Sequence, residues 1–321
     1  MLIVQKSGLL SRIALLAMLF LTTVAPPATT SADAPDPIRV TTTVGMIADI
    51  VRNIGGERVD VTALMGPGVD PHVYKPTAGD VGRLDNAQII FYGGLELEGR
   101  MTDIFEKIGR AGKPTYAVSE SIPEHLLHPL DGTTNHHDPH IWFDVTLWQI
   151  AVDSVLQRLS EFSPGDANYF AERAAVYHAE LDALDAYIRQ QVATIPEQQR
   201  VLITAHDAFG YFGSQYGFEV KGVQGISTSS EAGTADIQEL VDFIVERQIP
   251  AMFVESSVSP ATIEAVQAAA NARGWQVDVG GELFSDAMGE SGTPEGTYIG
   301  MVTWNIDIIT AALNPQSPKT P

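Results

Sequence analysis

Four polar residues, spread along the whole chain, carry side chains that can bind a metal ion. His72 follows the second predicted strand and His140 closes a histidine-rich connector, so the first half supplies two imidazoles. His206 directly follows a strand of the second half, and Asp286 lies in the loop after the last strand. Three imidazoles and one carboxylate make a complete ligand set for a borderline divalent ion such as zinc.

Spacing alone does not assign these four residues as ligands. Four scattered residues can be selected in most sequences, and a single histidine is more often a structural or surface residue. A site between two lobes, to which each lobe contributes ligands, is one interpretation of the spacing. Independent structural roles are the other.

The element that must position the two halves is a long helix, predicted over Ser163–Ile195. Ser163 suits the N-cap, Pro164 suits the first helical position, and Pro196 ends the helix. Apolar residues recur every three or four positions and form one stripe: Phe170, Ala174, Tyr177, Leu181, Leu184, Ile188 and Val192. A helix of roughly 45 Å outgrows one small domain. This favours two lobes joined by the helix over a single domain that carries a long helix on its face.

Strands and helices alternate on both sides of this helix. The predicted strands are Ile38–Val44, Val59–Leu64, Gln88–Tyr92 and Pro114–Val118, then Val201–Ala205, Glu219–Val223, Ala251–Val254 and Gln276–Val279. A loop over Gly280–Pro294 and a helix over Tyr298–Leu313 follow. The pattern predicts an α/β fold in which each half forms a mostly parallel, four-stranded sheet flanked by helices. Ligands bind such sheets beyond the carboxyl ends of the strands.

The segment Met1–Ala34 is predicted to be a signal peptide and not part of the fold. Lys6 and Arg12 precede the apolar run Ile13–Val24, which is short for a membrane span. Ala32–Ala34 fits a cleavage site. The chain contains no cysteine, which excludes a disulfide framework, thiolate ligands and lipid attachment at a cysteine. We therefore expect a periplasmic protein and not a lipoprotein. The formal net charge of −21 disfavours nucleic acid and anionic lipid as partners.

The local sequences around the four candidate ligands resemble those of the metal-binding solute-binding proteins of ABC importers. They are DPHVYKPT at Asp70–Thr77, DPHIWFD at Asp138–Asp144, TAHDAFGYF at Thr204–Phe212 and GGELFSDAMG at Gly280–Gly289. The resemblance covers nearly all of the mature chain, with the motifs in the same order. It is strongest to the TroA-type members of this zinc/manganese receptor family (cluster A-I, TroA/ZnuA-like).

The resemblance implies a fold and a ligand set. It implies two pseudo-symmetric α/β lobes joined by one backbone helix, with a metal bound by His72, His140, His206 and Asp286. We accordingly expect a signal peptide over residues 1–34, an N-terminal lobe over 35–162, a linking helix over 163–195 and a C-terminal lobe over 196–321.

The resemblance also implies a function. We expect an extracytoplasmic protein that captures Zn²⁺, or alternatively Mn²⁺, in the cleft and delivers it to an ABC-type permease with its ATPase. Zinc is favoured because a third imidazole suits it, whereas Mn²⁺ prefers carboxylate-rich sites. Such a protein is expected to be a monomer that meets the membrane only through the permease.

Several neighbouring residues have candidate supporting roles. Glu255 and Asp207 are candidates to orient ligand imidazoles, although Glu255 is equally suited to cap the helix that follows it. Four aromatic residues that flank the ligands are expected to form a dry shell: Trp142, Phe143, Phe209 and Phe212. The connector carries four further histidines, which either collect metal weakly or are incidental in a solvated loop: His125, His128, His136 and His137.

Two other classes of function are weighed against a binding protein. A secreted zinc hydrolase would need an open coordination position for water, and the His-Glu-x-x-His and Gly-x-Ser-x-Gly motifs are absent. A metal-stabilised surface adhesin is the second alternative, and the missing cysteine argues against its anchoring. We therefore expect a binding protein with no catalytic residues.

Overall fold

A computed structural model describes residues 36–130 and 136–314 of the chain, so the predicted signal peptide lies outside the described residues. The first half contains the strands β1 (Ile38–Thr42), β2 (Val59–Ala63), β3 (Ile89–Tyr92) and β4 (Thr115–Ala117). Its helices are α1 (Gly45–Gly55), α2 (Ala78–Asn86), α3 (Thr102–Arg110) and α4 (Val145–Phe162).

The four strands of the first half form one parallel sheet in the order β2-β1-β3-β4. Helices connect successive strands, as parallel pairing requires. Thr77 begins α2 with a reciprocal capping box, in which its hydroxyl accepts the Asp80 N–H and the Asp80 carboxylate accepts the Thr77 N–H. The prediction of a parallel four-stranded sheet is confirmed for this half.

The long helix α5 spans Ala167–Val192 and is about 39 Å in length. All seven residues of the predicted apolar stripe are buried. The predicted start is wrong by a few residues, because Pro164–Asp166 form a separate 3₁₀ turn in front of the helix. The Ser163 hydroxyl bonds the Asp166 carboxylate and not a backbone N–H of the helix, so it does not act as the predicted N-cap.

The second half contains the strands β5 (Val201–His206), β6 (Glu219–Gln224), β7 (Ala251–Glu255) and β8 (Asp278–Leu283). Its helices are α6 (Gly210–Tyr216), α7 (Thr234–Arg247), α8 (Ala261–Ala272) and α9 (Tyr298–Leu313). The α/β class and the parallel pairing are confirmed. The predicted continuous four-stranded sheet is divided into two parallel pairs, β5–β6 and β7–β8, with β5 lying beside β7. Where β5 and β7 end, the N–H of His206 bonds the Glu255 side chain and not a backbone carbonyl.

The strand β8 lies further along the chain than predicted, because two glycines continue it where a loop was expected. A Cβ on Gly280 would lie 2.7 Å from the Ala312 Cβ, and one on Gly281 would lie 2.8 Å from the Ile308 Cγ2. These glycines let α9 pack directly against β8, and the pairing with β7 contains a register shift nearby. The close packing of α9 on β8 fixes the point at which the Asp286 loop begins.

Two apolar cores hold the described residues together. The larger core draws on both halves and on the linking helix, for example on Ile90, Trp148, Leu181, Tyr211 and Met301. The smaller core lies within the second half, between its strands and the helices α7 and α8. In the ranges that the structure describes, no helix is long and apolar enough to span a membrane.

Candidate metal site

The structure brings the four predicted ligand residues into one buried cluster. His72 lies in a turn after β2, and His140 lies directly before the 3₁₀ turn that leads into α4. His206 is the last residue of β5, and Asp286 follows β8. One donor atom from each of the four lies within 4.8 Å of the others. Within the described ranges, no other group of three or more such residues meets this criterion.

The donor atoms of the four residues lie at similar distances from one another. The Nε2 atoms of His72 and His206 lie 3.3 Å and 3.4 Å from the His140 Nε2. The Asp286 carboxylate oxygens lie 3.6, 3.4 and 3.3 Å from the Nε2 atoms of His72, His140 and His206. A tetrahedral zinc ion with bonds of about 2.0–2.1 Å holds its ligand atoms about 3.3–3.4 Å apart. The spacing of the cluster therefore fits such an ion.

The carboxylate of Asp286 has the surroundings expected of a ligand. It is 1% exposed, and neither of its oxygens has a hydrogen-bond partner among the described residues. An ionised carboxylate without hydrogen bonds is strongly unfavourable in a protein interior unless a cation compensates it. The imidazoles around it and a bound divalent ion are the groups that can do so.

Asp138 orients the ring of His140. Its Oδ1 lies 2.6 Å from the His140 Nδ1 and also accepts the His140 backbone N–H at 2.9 Å. A carboxylate at Nδ1 fixes the tautomer that leaves Nε2 free to bind metal. This role was not predicted for Asp138, although the Asp-Pro-His pattern at 138–140 carried the signal.

Glu255 does the same for His206, from the end of the neighbouring strand. Its Oε2 lies 2.5 Å from the His206 Nδ1, and its Oε1 accepts the His206 backbone N–H at 2.8 Å. Glu255 therefore takes the predicted orienting role and not the alternative role of a helix cap. The His206 Nδ1 faces Glu255 and not Asp207, the other candidate.

The three imidazoles differ in their pKa values in the metal-free protein. Burial lowers the pKa of His72 to about 4. Burial also opposes the charged form of His140, but the negative charges of Asp138 and Asp286 outweigh it and raise the pKa of His140 to about 9. His72 is consequently neutral at pH 7, whereas His140 is protonated.

The remaining two residues form a charge pair. Burial opposes the charged form of His206, but Asp286 and Glu255 raise its pKa well above 6.5. Burial would raise the pKa of Asp286, yet the cationic His206 and His140 hold it well below its usual range. At pH 7 the metal-free cluster thus holds one carboxylate and two imidazolium rings, and a metal ion would displace their protons.

One aromatic side chain of the predicted dry shell, that of Trp142, contacts the cluster. Trp142, Phe143, Phe209 and Phe212 are all buried. The Trp142 ring packs edge-on against His140, and its Nε1 donates to the Ser285 carbonyl at 3.0 Å. That hydrogen bond joins the α4 side of the site to the Asp286 loop.

Two cavities reach the cluster. One of about 670 Å³ borders His72, and one of about 130 Å³ borders Asp286. His72 is 6% exposed, whereas the other three residues are at most 1% exposed. The larger cavity and the greater exposure both make His72 the most accessible of the four.

The histidines of the connector do not join the cluster. The His128 ring stacks on Tyr211 at 4.1 Å, and the His136 Nδ1 lies 3.0 Å from the Glu96 carboxylate. His125 is exposed and His137 borders the larger cavity. The hypothesis that they collect metal stays a prediction, since none of them belongs to the cluster of four ligand residues.

The chain matches a known family over most of its length. Residues 40–312 match the family described as ZnuA, zinc-uptake complex component A, periplasmic. The zinc-binding protein TroA of Treponema pallidum is 53% identical over 274 residues, which is 85% of this chain and 88% of that protein. The manganese-binding lipoprotein MntA of Bacillus subtilis is 51% identical over 280 residues, 87% of this chain and 91% of the relative.

A solved structure matches the fold as well. The periplasmic zinc-binding protein TroA from Treponema pallidum superposes with a TM-score of 0.84 and 52% identity, over 86% of this chain and 99% of that one. An α/β fold with a buried cluster of three histidines and one aspartate between its halves defines a class of metal-binding proteins. The chain belongs to the ZnuA family of zinc-uptake components, as the sequence resemblance implied.

Proposed function

We propose that this protein captures a divalent transition metal outside the cytoplasm and delivers it to an ABC-type permease driven by its ATPase. The metal is the transported cargo, bound by His72, His140, His206 and Asp286. The observation that carries the proposal is the spacing of 3.3–3.6 Å between their donor atoms, together with the buried carboxylate of Asp286, which has no hydrogen-bond partner among the described residues.

Zinc is the preferred cargo in this proposal, and manganese is second. Three imidazoles and one carboxylate suit a borderline ion that favours tetrahedral sites. Mn²⁺ favours oxygen ligands and coordination numbers above four. This site exceeds four ligand atoms only if both oxygens of Asp286 bind. The relatives include one protein named for zinc and one named for manganese, so both ions belong in the test.

The proposal includes the organisation and location of the chain. Residues 35–162 and 196–321 are the two lobes, residues 163–195 link them, and residues 1–34 direct export. The protein acts in the periplasm as a monomer and contacts the membrane only through the permease. Fractionation of cells and light scattering on the purified protein test the location and the monomeric state.

The protein binds metal without catalysing a reaction on this account. Four protein ligands fill a tetrahedron, whereas catalytic zinc sites keep one position for water or substrate. A secreted zinc hydrolase would hydrolyse model ester, peptide or phosphate substrates in a zinc-dependent manner. We expect no hydrolysis above that of free zinc.

Metal titration of the purified protein tests the proposal. We expect one zinc ion per chain, and we expect Asp286→Ala to abolish tight binding. Asp85→Ala removes an exposed carboxylate outside the site and should leave binding unchanged. Full-affinity zinc binding by Asp286→Ala, or no binding by the wild type, would overturn the proposal. Elemental analysis of protein from its native compartment then identifies the ion.

A further inference from the structure

The two oxygens of Asp70 connect a ligand loop in one half to a loop in the other. Oδ1 accepts the backbone N–H of His72 at 2.8 Å, which shapes the turn that presents this histidine. Oδ2 accepts the hydroxyl of Thr228, which lies 158 residues further along the chain. Asp70 therefore couples the position of His72 to a contact across the cleft.

The loop that contains Thr228 lies over the accessible side of the site. Ile226, Ser227 and Ser229 line the cavity of about 670 Å³ that borders His72. The His72 loop meets the second half at another point too, because a Cβ on Gly68 would lie 3.4 Å from the Ser256 carbonyl oxygen. Gly68 has a φ of +69°, which favours glycine, so this close approach also depends on its residue type.

His72 is the ligand that can leave the metal with the smallest change in the rest of the site. His140 and His206 are each held by a carboxylate at Nδ1, as described above. The Asp70 carboxylate instead bonds the backbone of His72 and the hydroxyl of Thr228. The orientation of the His72 ring thus depends on where its loop lies, and that position depends on the contact with Thr228.

We propose that Thr228 is a positioning residue that controls metal release by holding the His72 loop closed through Asp70. This inference rests on the proposed function and adds to it the step that sets the dissociation rate. Breaking the Thr228–Asp70 hydrogen bond lets the loop move into the cavity, which removes the His72 imidazole from the metal. The remaining three ligands then hold the ion less tightly, and it leaves.

Two substitutions at Thr228 test the inference without removing a ligand. Thr228→Val keeps the shape of the side chain but loses the hydroxyl, whereas Thr228→Ser keeps the hydroxyl. Zn²⁺-loaded protein is mixed with excess chelator in a stopped-flow instrument, and the rate of zinc loss is recorded. A hydrogen bond to a charged group contributes enough that Thr228→Val should release zinc about tenfold faster. Thr228→Ser should stay close to the wild-type rate.

A matched control and a circular dichroism measurement separate this role from a merely structural one. Ser230→Ala removes an exposed hydroxyl from the same loop and should release zinc at the wild-type rate. The circular dichroism of the metal-free Thr228→Val protein should match that of the wild type, because the loss of one hydrogen bond does not unfold the protein. Wild-type release by Thr228→Val, or equally fast release by Thr228→Ser, would overturn the inference while zinc binding stands. A wild-type protein that binds no zinc would instead refute the proposed function.

Discussion

The sequence Asp-Pro-His occurs twice in this protein, at residues 70–72 and 138–140, and the two copies use their aspartates differently. In both, the aspartate accepts the backbone N–H of the histidine two residues later. Asp138 also bonds the ring of its own histidine, whereas Asp70 bonds Thr228 in the other half. The same three residues therefore fix a side chain in one copy and tie two halves together in the other.

The difference between the copies assigns the two histidines different tasks. His140 is fully buried, its ring is oriented by a carboxylate, and its pKa is raised to about 9. His72 borders a large cavity, and burial lowers its pKa to about 4. A rigid ligand preorganises the site, and a ligand on a loop admits and releases the ion. The predictions that follow test this division.

Replacing His72 or His140 should reveal the difference between the rigid ligand and the ligand on a loop most strongly. We expect His72→Ala and His140→Ala each to weaken zinc binding by more than about 100-fold, because each loses a ligand. Only His140→Ala leaves a buried carboxylate, that of Asp138, without its charge partner, which destabilises a fold by about 3–5 kcal/mol. Urea unfolding of the metal-free variants measures this difference. Equal destabilisation by the two substitutions would contradict it.

The pH dependence of zinc affinity should correspond to the release of two protons, and not three, when the metal binds. Metal binds only neutral imidazole, so His140 and His206, whose pKa values are raised, must lose protons, whereas His72 is already neutral. Affinity should therefore rise with pH by up to about 100-fold per pH unit near pH 7, or about 2.7 kcal/mol. The rise should become less steep above about pH 9, where His140 is already neutral in the metal-free protein. Calorimetry in buffers of different ionisation enthalpy counts the protons released, and a count near zero or three would be inconsistent with these charge states.

Neutralising the aspartates of the two copies should give unequal losses of affinity. Asp138→Asn disturbs the ring of a ligand, and such partners contribute about 10–100-fold to metal affinity. Glu255→Gln should behave in the same way, since it holds His206. Asp70→Asn should weaken equilibrium binding less and mainly speed release. Glu282→Gln, an exposed carboxylate in β8, is the control. Competition titration against a chelator measures all four, and a larger loss for Asp70→Asn would reverse the proposed roles.

The smallest expected effect concerns selectivity. His206→Glu exchanges a borderline nitrogen for a hard oxygen, so the preference for zinc over manganese should narrow. The introduced carboxylate would also face Glu255, so the substitution is best measured in a protein that also carries Glu255→Gln. Competition between the two ions measures the preference. An unchanged or wider preference for zinc would mean that this position does not set selectivity.

Much of the architecture could be predicted from local pattern. The apolar stripe of α5 is buried as predicted, and the helix Tyr298–Leu313 has the predicted bounds. These segments have the 3.6-residue periodicity and clear boundaries that local sequence encodes. The strand β8 was misplaced because Gly280 and Gly281 are strand breakers locally, whereas here they admit the close approach of α9.

Local sequence pattern also predicts only some of the contacts within the candidate site. The four clustered residues were candidates from their positions after strands, and the family motifs around them implied that they are ligands. Glu255 could be proposed as an orienting group, because it directly follows a predicted strand. The contact between Asp70 and Thr228 could not be proposed from the sequence, because it joins residues far apart in the chain and no local sequence pattern indicates it. Asp138 and Asp70 share one motif, so only the fold distinguishes their roles.

A crystal structure of the zinc-loaded protein, with anomalous diffraction collected at the zinc edge, tests the central claim most directly. We expect one strong anomalous peak, about 2.0–2.1 Å from the Nε2 atoms of His72, His140 and His206 and from an oxygen of Asp286. A peak at the connector histidines with none between these four residues would contradict the account.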